Sequence, residues 1–580
     1  MEIVDYDVII LGSGIAGLTA ALHAERASNG SLKIAIVTKL HAMRSHSVSA
    51  EGGISGVLYP EPGKDSYDLH AYDTIKGSDY LADQDAVEVL VKNAPKEIEF
   101  FDHIGVPWNR DEQGRIEQRA FGGMSIPRTA FAADKTGFFL MRALYDEIVR
   151  QKNVSILHET YAFSLSIKNK KFHGMNVINL STGETSFLRA KAGVVATGGA
   201  SRVYDFTTTA HSTTGDGIAL VYRAGLPLKD MEFVQFHPTA LIPSGILITE
   251  AARGEGGYLV NSKGERFMAD YAKSKMELAP RDIVSRAIIT EIENDRGFVH
   301  KGSGLDYINL DLRHLGTKIL DEKLPMIKEI CIKSLNLDPD KEPIPVRPAA
   351  HFTMGGIHTD INGRVMVNES GTAVKGLWAI GEGGCVSVHG SNRLGSNSLS
   401  QCSVWGRIAG NAIAEYAEKE KIDKDKDIIK VAELEEKKLL ELFEKKGNVN
   451  PYEIRADIQK TMGTDMYVYR SMARMQRAKK RLSELREMFD DIYVEDKSRI
   501  YNTNLRDVLE IRNLLDIAEV ITACALNRHE SRGAHAVIEY PKRDDTNWLK
   551  HTIAYKAKDG IGIAYLPVKI LGWKPEPRKY

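Results

Sequence analysis

The apolar run Val8-Ile9-Ile10-Leu11, entered from Tyr6-Asp7, passes into Gly12-Ser13-Gly14-Ile15-Ala16-Gly17 and leaves as Leu18-Thr19-Ala20-Ala21. A short unbroken apolar stretch, a glycine turn and an alanine-rich continuation predict a buried strand leading into a helix, the layout of a dinucleotide-binding βα unit. Gly12 permits the tight turn, Gly14 lets the backbone approach a pyrophosphate, and Gly17 lets helix and strand pack closely; Ser13, Ile15 and Ala16 complete the cradle at the helix N-terminus. A second predicted strand, Leu32-Lys33-Ile34-Ala35-Ile36-Val37, ends on Thr38-Lys39 where an acid for ribose hydroxyls is expected. Either Thr38 and Lys39 hold the ribose through a hydroxyl and an ammonium, or the nucleotide is not NAD. Another strand-to-glycine exit follows at Ala192-Gly193-Val194-Val195-Ala196-Thr197-Gly198-Gly199.

The rhythm changes along the chain. Strands and glycine turns give way near Glu232 to a stretch dense in His, Arg and Glu, and the first pattern returns near Pro348. Beyond about Tyr416 the composition shifts to Lys, Glu and Leu, and residues 433–440, 461–489 and 504–526 carry helical apolar spacing with i,i+4 charge pairs. Met462, Met466, Met472 and Met475 read as the core of that helical bundle. Near the end, Asp559-Gly560 between two strand-like runs predicts a closing β-hairpin.

Composition narrows the function classes. A chain of 580 residues has room for about three to four domains. With 77 basic against 78 acidic residues and no basic block, nucleic acid is not an expected partner. No positively charged leader and no uninterrupted apolar membrane span is present, so a membrane link would need a partner chain or a segment absent from this sequence. Cys331, Cys385, Cys402 and Cys524 are scattered and form no CxxC, which fits a reducing compartment and leaves this chain without the ligands for an iron-sulfur cluster or thiolate zinc site; no metal site is expected.

The loop Arg44-Ser45-His46-Ser47-Val48-Ser49-Ala50-Glu51-Gly52-Gly53 concentrates hydroxyls, imidazoles and glycine. On chemistry alone, His46 reads first as a loop hydrogen-bonding group. The run closely resembles the flavin-attachment loop of the flavoprotein subunits of succinate dehydrogenase and fumarate reductase, in which the matching His is bonded through a ring nitrogen to the 8α carbon of FAD. The resemblance implies FAD held covalently through His46, with Ser45, Ser47, Gly52 and Gly53 around it. It also implies cofactor contacts at Ala196, Thr197, Gly198 and Gly199, at Asp216 of Thr214-Gly215-Asp216-Gly217, and at Glu382 of Gly381-Glu382. A covalent imidazole withdraws electron density and raises the flavin potential, which favours oxidation of a saturated diacid.

The same family carries the remaining chemistry. Gln235-Phe236-His237-Pro238-Thr239, Ile248-Thr249-Glu250-Ala251-Ala252-Arg253 and Pro280-Arg281-Asp282 resemble its capping-domain motifs. There His237 and Thr249 would bind a carboxylate, Arg281 would transfer the proton, and Glu250 with Arg253 would relay it. His351 in His351-Phe352-Thr353-Met354-Gly355-Gly356 is implied as a substrate ligand. Phe121 in Phe121-Gly122-Gly123 is either a residue against the substrate's central carbons or a core aromatic. His389-Gly390-Ser391-Asn392-Arg393-Leu394-Gly395-Ser396-Asn397-Ser398-Leu399 departs from the family run only at Ser391 and Ser396. It places Arg393, able to grip a carboxylate bidentately, beside a helix start where Ser398 and Leu399 offer N–H groups to the flavin. Ala536-Val537 departs from the family's usual aromatic-basic pair.

The implied architecture is α/β, α+β overall. A Rossmann-type FAD-binding domain in two parts (1–231 and 348–415) is interrupted by a capping domain (232–347) and followed by a helical domain (416–530) and a small C-terminal β-containing domain (531–580). The implied activity is interconversion of succinate and fumarate, with electrons passing to a separate iron-sulfur subunit and, through it, to membrane anchor subunits and quinone. The chain would then sit peripherally on the cytoplasmic side of the cell membrane, held by its partners. Glu51 stands where many fumarate reductases of the family have Glu and many succinate dehydrogenases have Gln, which leans towards the reductive direction. An L-aspartate oxidase-like enzyme, which binds FAD without a bond, a fumarate reductase with a thiol or other donor, and a non-enzymatic flavin-binding or assembly protein are the alternatives.

Overall fold

The computed structural model describes residues 1–369 and 371–580. Strand Glu2–Leu11, rich in β-branched and aromatic side chains, lies inside an eight-stranded sheet between two parallel neighbours, Ile34–Val37 and Thr185–Val195. Val154–Leu157 extends the sheet on one side, and Ala373–Ala379 returns from far along the chain to pair in parallel with Thr185–Val195. Parallel sheets are covered on both faces, and Ile34–Val37 is accordingly buried at every position. Helix Ile15–Ala27 and the long helix Asn397–Lys419 pack together against this sheet. The α/β, α+β overall architecture expected from the sequence is the one adopted.

Two glycines of the first turn are sterically required. Gly12 has φ +111°, and a Cβ there would fall 2.2 Å from the carbonyl oxygen of Ala196; a Cβ at Gly17 would fall 2.0 Å from that of Gly12. The turn therefore closes only if helix, strand and the Ala196 exit of the neighbouring strand touch backbone to backbone.

A separate antiparallel sheet runs in the order Val234–Leu241, Ile344–Thr353, Asp306–Asp311, Tyr258–Val260, with Phe298–Val299 beside Asp306–Asp311. Leu241, Ile308, Leu310, Ile344 and Val346 of this sheet pack with Val284 and Ile288 of helix Arg281–Glu291 into their own core. His237 and His351 thus arrive on adjacent strands.

Helices Pro451–Asp465, Met472–Phe489 and Thr503–Asn527 form a bundle whose interior includes Met462, Met466 and Met475, with Met472 packed at its edge. The continuous helix expected over 461–489 is corrected by the structure. Tyr469–Arg470 is a short strand parallel to Ala536–Val537, and the buried Arg470 donates to Glu232 O (2.8 Å) and pairs with His535 Nδ1 (2.8 Å). These long-range bonds override a local helical period, and Ser471, whose hydroxyl accepts from Arg474 N–H, caps the helix that restarts. The predicted hairpin forms between Lys550–Ala557 and Gly560–Pro567 with Lys558-Asp559 as its loop, one residue earlier than expected. The four cysteines are unpaired, Cys402 alone being half-buried. Among the described residues no helix is long and apolar enough to cross a membrane.

His551 locks the hairpin to the rest of the molecule. Its Nδ1 meets Asp230 Oδ2 at 2.7 Å and its Nε2 meets Asp83 Oδ1 at 3.2 Å. Burial alone would lower its pKa, but the two carboxylates outweigh burial and raise it to about 9, while Lys229 and His358 stand in the same buried group. A folded-state pKa above the unfolded value means that the contribution is complete below about pH 6.5 and is lost as pH rises through about 9. The melting temperature is expected to fall between pH 7 and pH 10 through this group, and His551→Gln to start lower and flatten that slope. An unchanged slope in the variant would assign the pH dependence elsewhere.

Candidate active site

An elongated cavity of about 1610 Å³, its mouth included, runs from the first glycine turn to the antiparallel sheet. Every site residue expected from the sequence lines it except Gly17, Gly199 and Arg253, which stand directly behind its wall. At one end Gly14 caps helix Ile15–Ala27 without a side chain, so the first-turn N–H groups remain available to an anion; Ile15 N–H also reaches Ser47 Oγ at 3.2 Å. His46 follows on the same wall. Its Nδ1 accepts the N–H of Ala210 at 3.3 Å, which leaves Nε2 as the uncommitted ring nitrogen, and burial with Arg202 nearby lowers its pKa to about 4. Farther along, helix Asn397–Lys419 starts from Ser396, in the left-handed region at φ +61° and making no cap bond, and presents Ser398 and Leu399.

Lys39 has a task different from the one expected. Its ammonium bonds Asp216 Oδ2 (2.7 Å), Glu510 Oε1 (2.6 Å) and Thr214 Oγ1 (2.8 Å), which uses all three donors and leaves none to hold a ribose. Asp216 in turn accepts from Thr214 Oγ1 and Asn513 Nδ2, both at 2.8 Å. Thr38 accepts from Ser13 Oγ at 3.0 Å. Glu382 accepts the N–H of Thr353 at 2.9 Å, and burial raises its pKa to about 7.

At the other end the charged side chains converge. Arg281 Nε bonds Glu250 Oε2 at 2.7 Å, Arg253 Nη2 stands 3.9 Å from the same oxygen, and Glu250 also accepts Gly122 N–H at 2.5 Å. Arg281 Nη1 donates to Gln235 Oε1 (3.2 Å), and Gln235 Nε2 donates to Asn392 Oδ1 (2.9 Å) and Arg393 O (2.8 Å). Gln235 was not singled out from the sequence, yet it ties the two arginines into one frame. Arg393 Nη1 donates to Ser398 Oγ at 3.1 Å and its guanidinium lies 4.6 Å from the Phe352 ring centre. The His237 and His351 rings are 5.0 Å apart. Phe121 lines the cavity and belongs to the core behind it.

Burial, then the cations Arg281 and Arg393, push both imidazoles well below the ordinary His range, so they are neutral. Burial and Arg281 likewise lower Arg393, while Arg281 and Arg253 overcome burial and hold Glu250 below the usual carboxylate range. Three guanidiniums against one ionised carboxylate leave this end net positive. Among the described residues the buried His237 Nε2 and Arg393 Nε have no hydrogen-bond partner, which suits a carboxylate ligand. The free N–H groups at two helix starts and the glycine cradle suit a dinucleotide along the rest of the cavity.

Comparison with known proteins agrees with this geometry. Residues 7–399 match the family model described as FAD binding domain, and residues 455–580 match fumarate reductase flavoprotein C-term. The chain is 43% identical to the fumarate reductase flavoprotein subunit of Mycobacterium tuberculosis over 99% of each chain. It is 44% identical to the succinate dehydrogenase flavoprotein subunit of Rickettsia felis, over 97% of this chain and 95% of that one. A point-mutated FrdA chain of E. coli quinol fumarate reductase superposes with a TM-score of 0.95 at 40% identity, covering 100% of this chain and 99% of that one. With the flavin cradle, the His46 loop and the arginine-lined end in one cavity, the chain belongs to the family of succinate dehydrogenase and fumarate reductase flavoprotein subunits, which are FAD-dependent oxidoreductases.

Proposed function

We propose that this chain is the catalytic subunit that interconverts succinate and fumarate. The support is the convergence of Arg281, Arg393, His237, His351 and Thr249 on the same cavity that carries the first glycine turn and His46. FAD, when bound, would supply the two-electron chemistry, hydride acceptance from succinate or its return to fumarate. His46 is the tether, and its Nε2 is the nitrogen free to form the bond. Arg393 and His351 grip one carboxylate, and His237 with Thr249 grips the other. Arg281 exchanges the proton at the second carbon. Its Nε and Nη1 are held by Glu250 and Gln235, which leaves Nη2 for the substrate, and Glu250 with Arg253 carries the proton onward. An arginine has too high a pKa for free exchange in water. Here Glu250 Oε2, 2.7 Å from Arg281 Nε, is the immediate proton partner. Both directions use the same ligands.

The division at 232 is supported by the separate antiparallel sheet that begins with Val234–Leu241, whereas 347 falls inside its strand Ile344–Thr353. We further place the chain with an iron-sulfur subunit and membrane anchor subunits that exchange electrons with quinone, peripherally on the cytoplasmic face of the membrane. The supports are the quinol fumarate reductase named among its structural relatives and the four scattered free cysteines. One preparation tests these assignments: the tagged chain purified gently from its native cells. An iron-sulfur chain is expected to come with it, succinate to bleach its flavin and fumarate to restore the colour, and the yellow colour to stay with acid-precipitated protein. Colour released by acid would favour an L-aspartate oxidase-like enzyme, and a flavin indifferent to both diacids would end the catalytic assignment.

A further inference from the structure

Both substrate-facing imidazoles are engaged from behind by a threonine. His237 Nδ1 accepts the N–H of Thr239 at 3.2 Å, so its single proton sits on Nε2. His351 has no such backbone donor. Its Nδ1 lies 2.6 Å from Thr208 Oγ1, and among the described residues that hydroxyl has no other partner. The loop bearing it is pinned in place: Thr208 N–H donates to Ala350 O at 3.0 Å, Thr207 Oγ1 donates to the same oxygen at 2.7 Å, and Ala210 N–H reaches His46. One short segment therefore braces the flavin-side histidine through backbone and the substrate-side histidine through a side chain.

A neutral imidazole has one proton to place. With the proton on Nδ1, His351 would turn a lone pair towards an incoming carboxylate; with it on Nε2, it would offer a donor. Thr208 can hold the second state, in which its rotatable O–H donates to the unprotonated Nδ1. We propose that Thr208 is a positioning residue that holds His351 in the Nε2-protonated form and thereby sets the affinity for a dicarboxylate. The inference rests on the reading of His351 as a carboxylate ligand.

The test uses the flavin-loaded enzyme and malonate, a dicarboxylate with no CH–CH bond to oxidise, measured by titration calorimetry. Thr208→Val is expected to raise the malonate Kd about tenfold, the order of one net hydrogen bond, with acid-stable flavin retained. Thr208→Ser is expected to restore affinity to within about twofold. Nitrogen-15 NMR of the unmodified enzyme should report His351 protonated on Nε2, a measurement that decides the matter even if Thr208→Val does not fold. Protonation on Nδ1, an unchanged Kd in Thr208→Val, or joint loss of malonate binding and acid-stable flavin, which would mean that the loop had simply moved, would overturn the proposal. His351→Ala separates the two levels: if it leaves malonate binding intact the ligand assignment itself fails, whereas a large loss there beside a silent Thr208→Val removes Thr208 alone.

Discussion

Arg281→Gln is expected to slow both succinate oxidation and fumarate reduction by about 10² to 10⁴, the range for loss of a positioned acid-base group, with FAD content unchanged. The side chain is nearly fully buried and its Nε is committed to Glu250, so Gln removes both the proposed proton carrier and the link to Glu250 and Arg253. Arg281→Lys is expected to fare little better. Lysine keeps the charge but cannot bond Glu250 and Gln235 at once in the planar geometry that guanidinium imposes. The split between kinetic constants carries the meaning. Loss of a residue that only clamps substrate raises KM and spares kcat, whereas loss of a proton-transferring residue lowers kcat. Near-normal turnover in either variant would remove the proton-transfer assignment.

Arg528→Met is expected to cost about 3–5 kcal/mol of stability, the usual consequence of breaking a buried charge network by removing one partner. Arg528 is fully buried. It bonds Glu232 Oε1 (2.7 Å), Glu530 Oε1 (2.9 Å), Trp548 O (3.0 Å), Lys550 O (2.6 Å) and Thr552 Oγ1 (3.1 Å). Glu530 keeps Arg532 at 2.8 Å, but Glu232 loses its ion pair with Arg528. The damage should also reach the site, because Glu232 immediately precedes the strand that carries Gln235 and His237. Denaturant titration should show the midpoint falling, with Arg477→Ala, an exposed partner of Asp465, moving it by less than about 1 kcal/mol. Equal shifts for the two variants would mean that the buried network contributes nothing beyond a surface pair.

Much of the site was legible because its signals are local. The first βα unit lies within one window; Gly17 is demanded by the Gly12 carbonyl of the same turn, although Gly12 is demanded by Ala196 of the neighbouring strand. The Arg393 run places a guanidinium and a helix start within a few residues of each other, and the structure keeps them together through Ser398. The illegible parts involve partners far apart in the chain. Lys39 could be noticed as an odd end to a strand, but nothing nearby announced Glu510 from the helical bundle as its counter-charge. Gln235 was visible as part of a motif and Thr208 was not marked at all; both act through bonds to residues more than 40 positions away. The helix expected across 466–471 failed for the same reason, since Tyr469–Arg470 pairs with the strand Ala536–Val537, 67 residues farther along the chain.

By itself, the order of residues determined the buried strand, the glycine turn, the amphipathic helices, the closing hairpin and the types of side chain available for chemistry. Each of these depends on dihedral preferences and on periods of two or 3.6 residues, which act within a short span. Only the tertiary structure decided that two strands would bring His237 beside His351, that Gln235 would bridge two arginines, and that the ammonium of Lys39 would be consumed by carboxylates. Such pairings are set by which surfaces exclude water together, and a buried polar group takes whichever partner that closure leaves within reach.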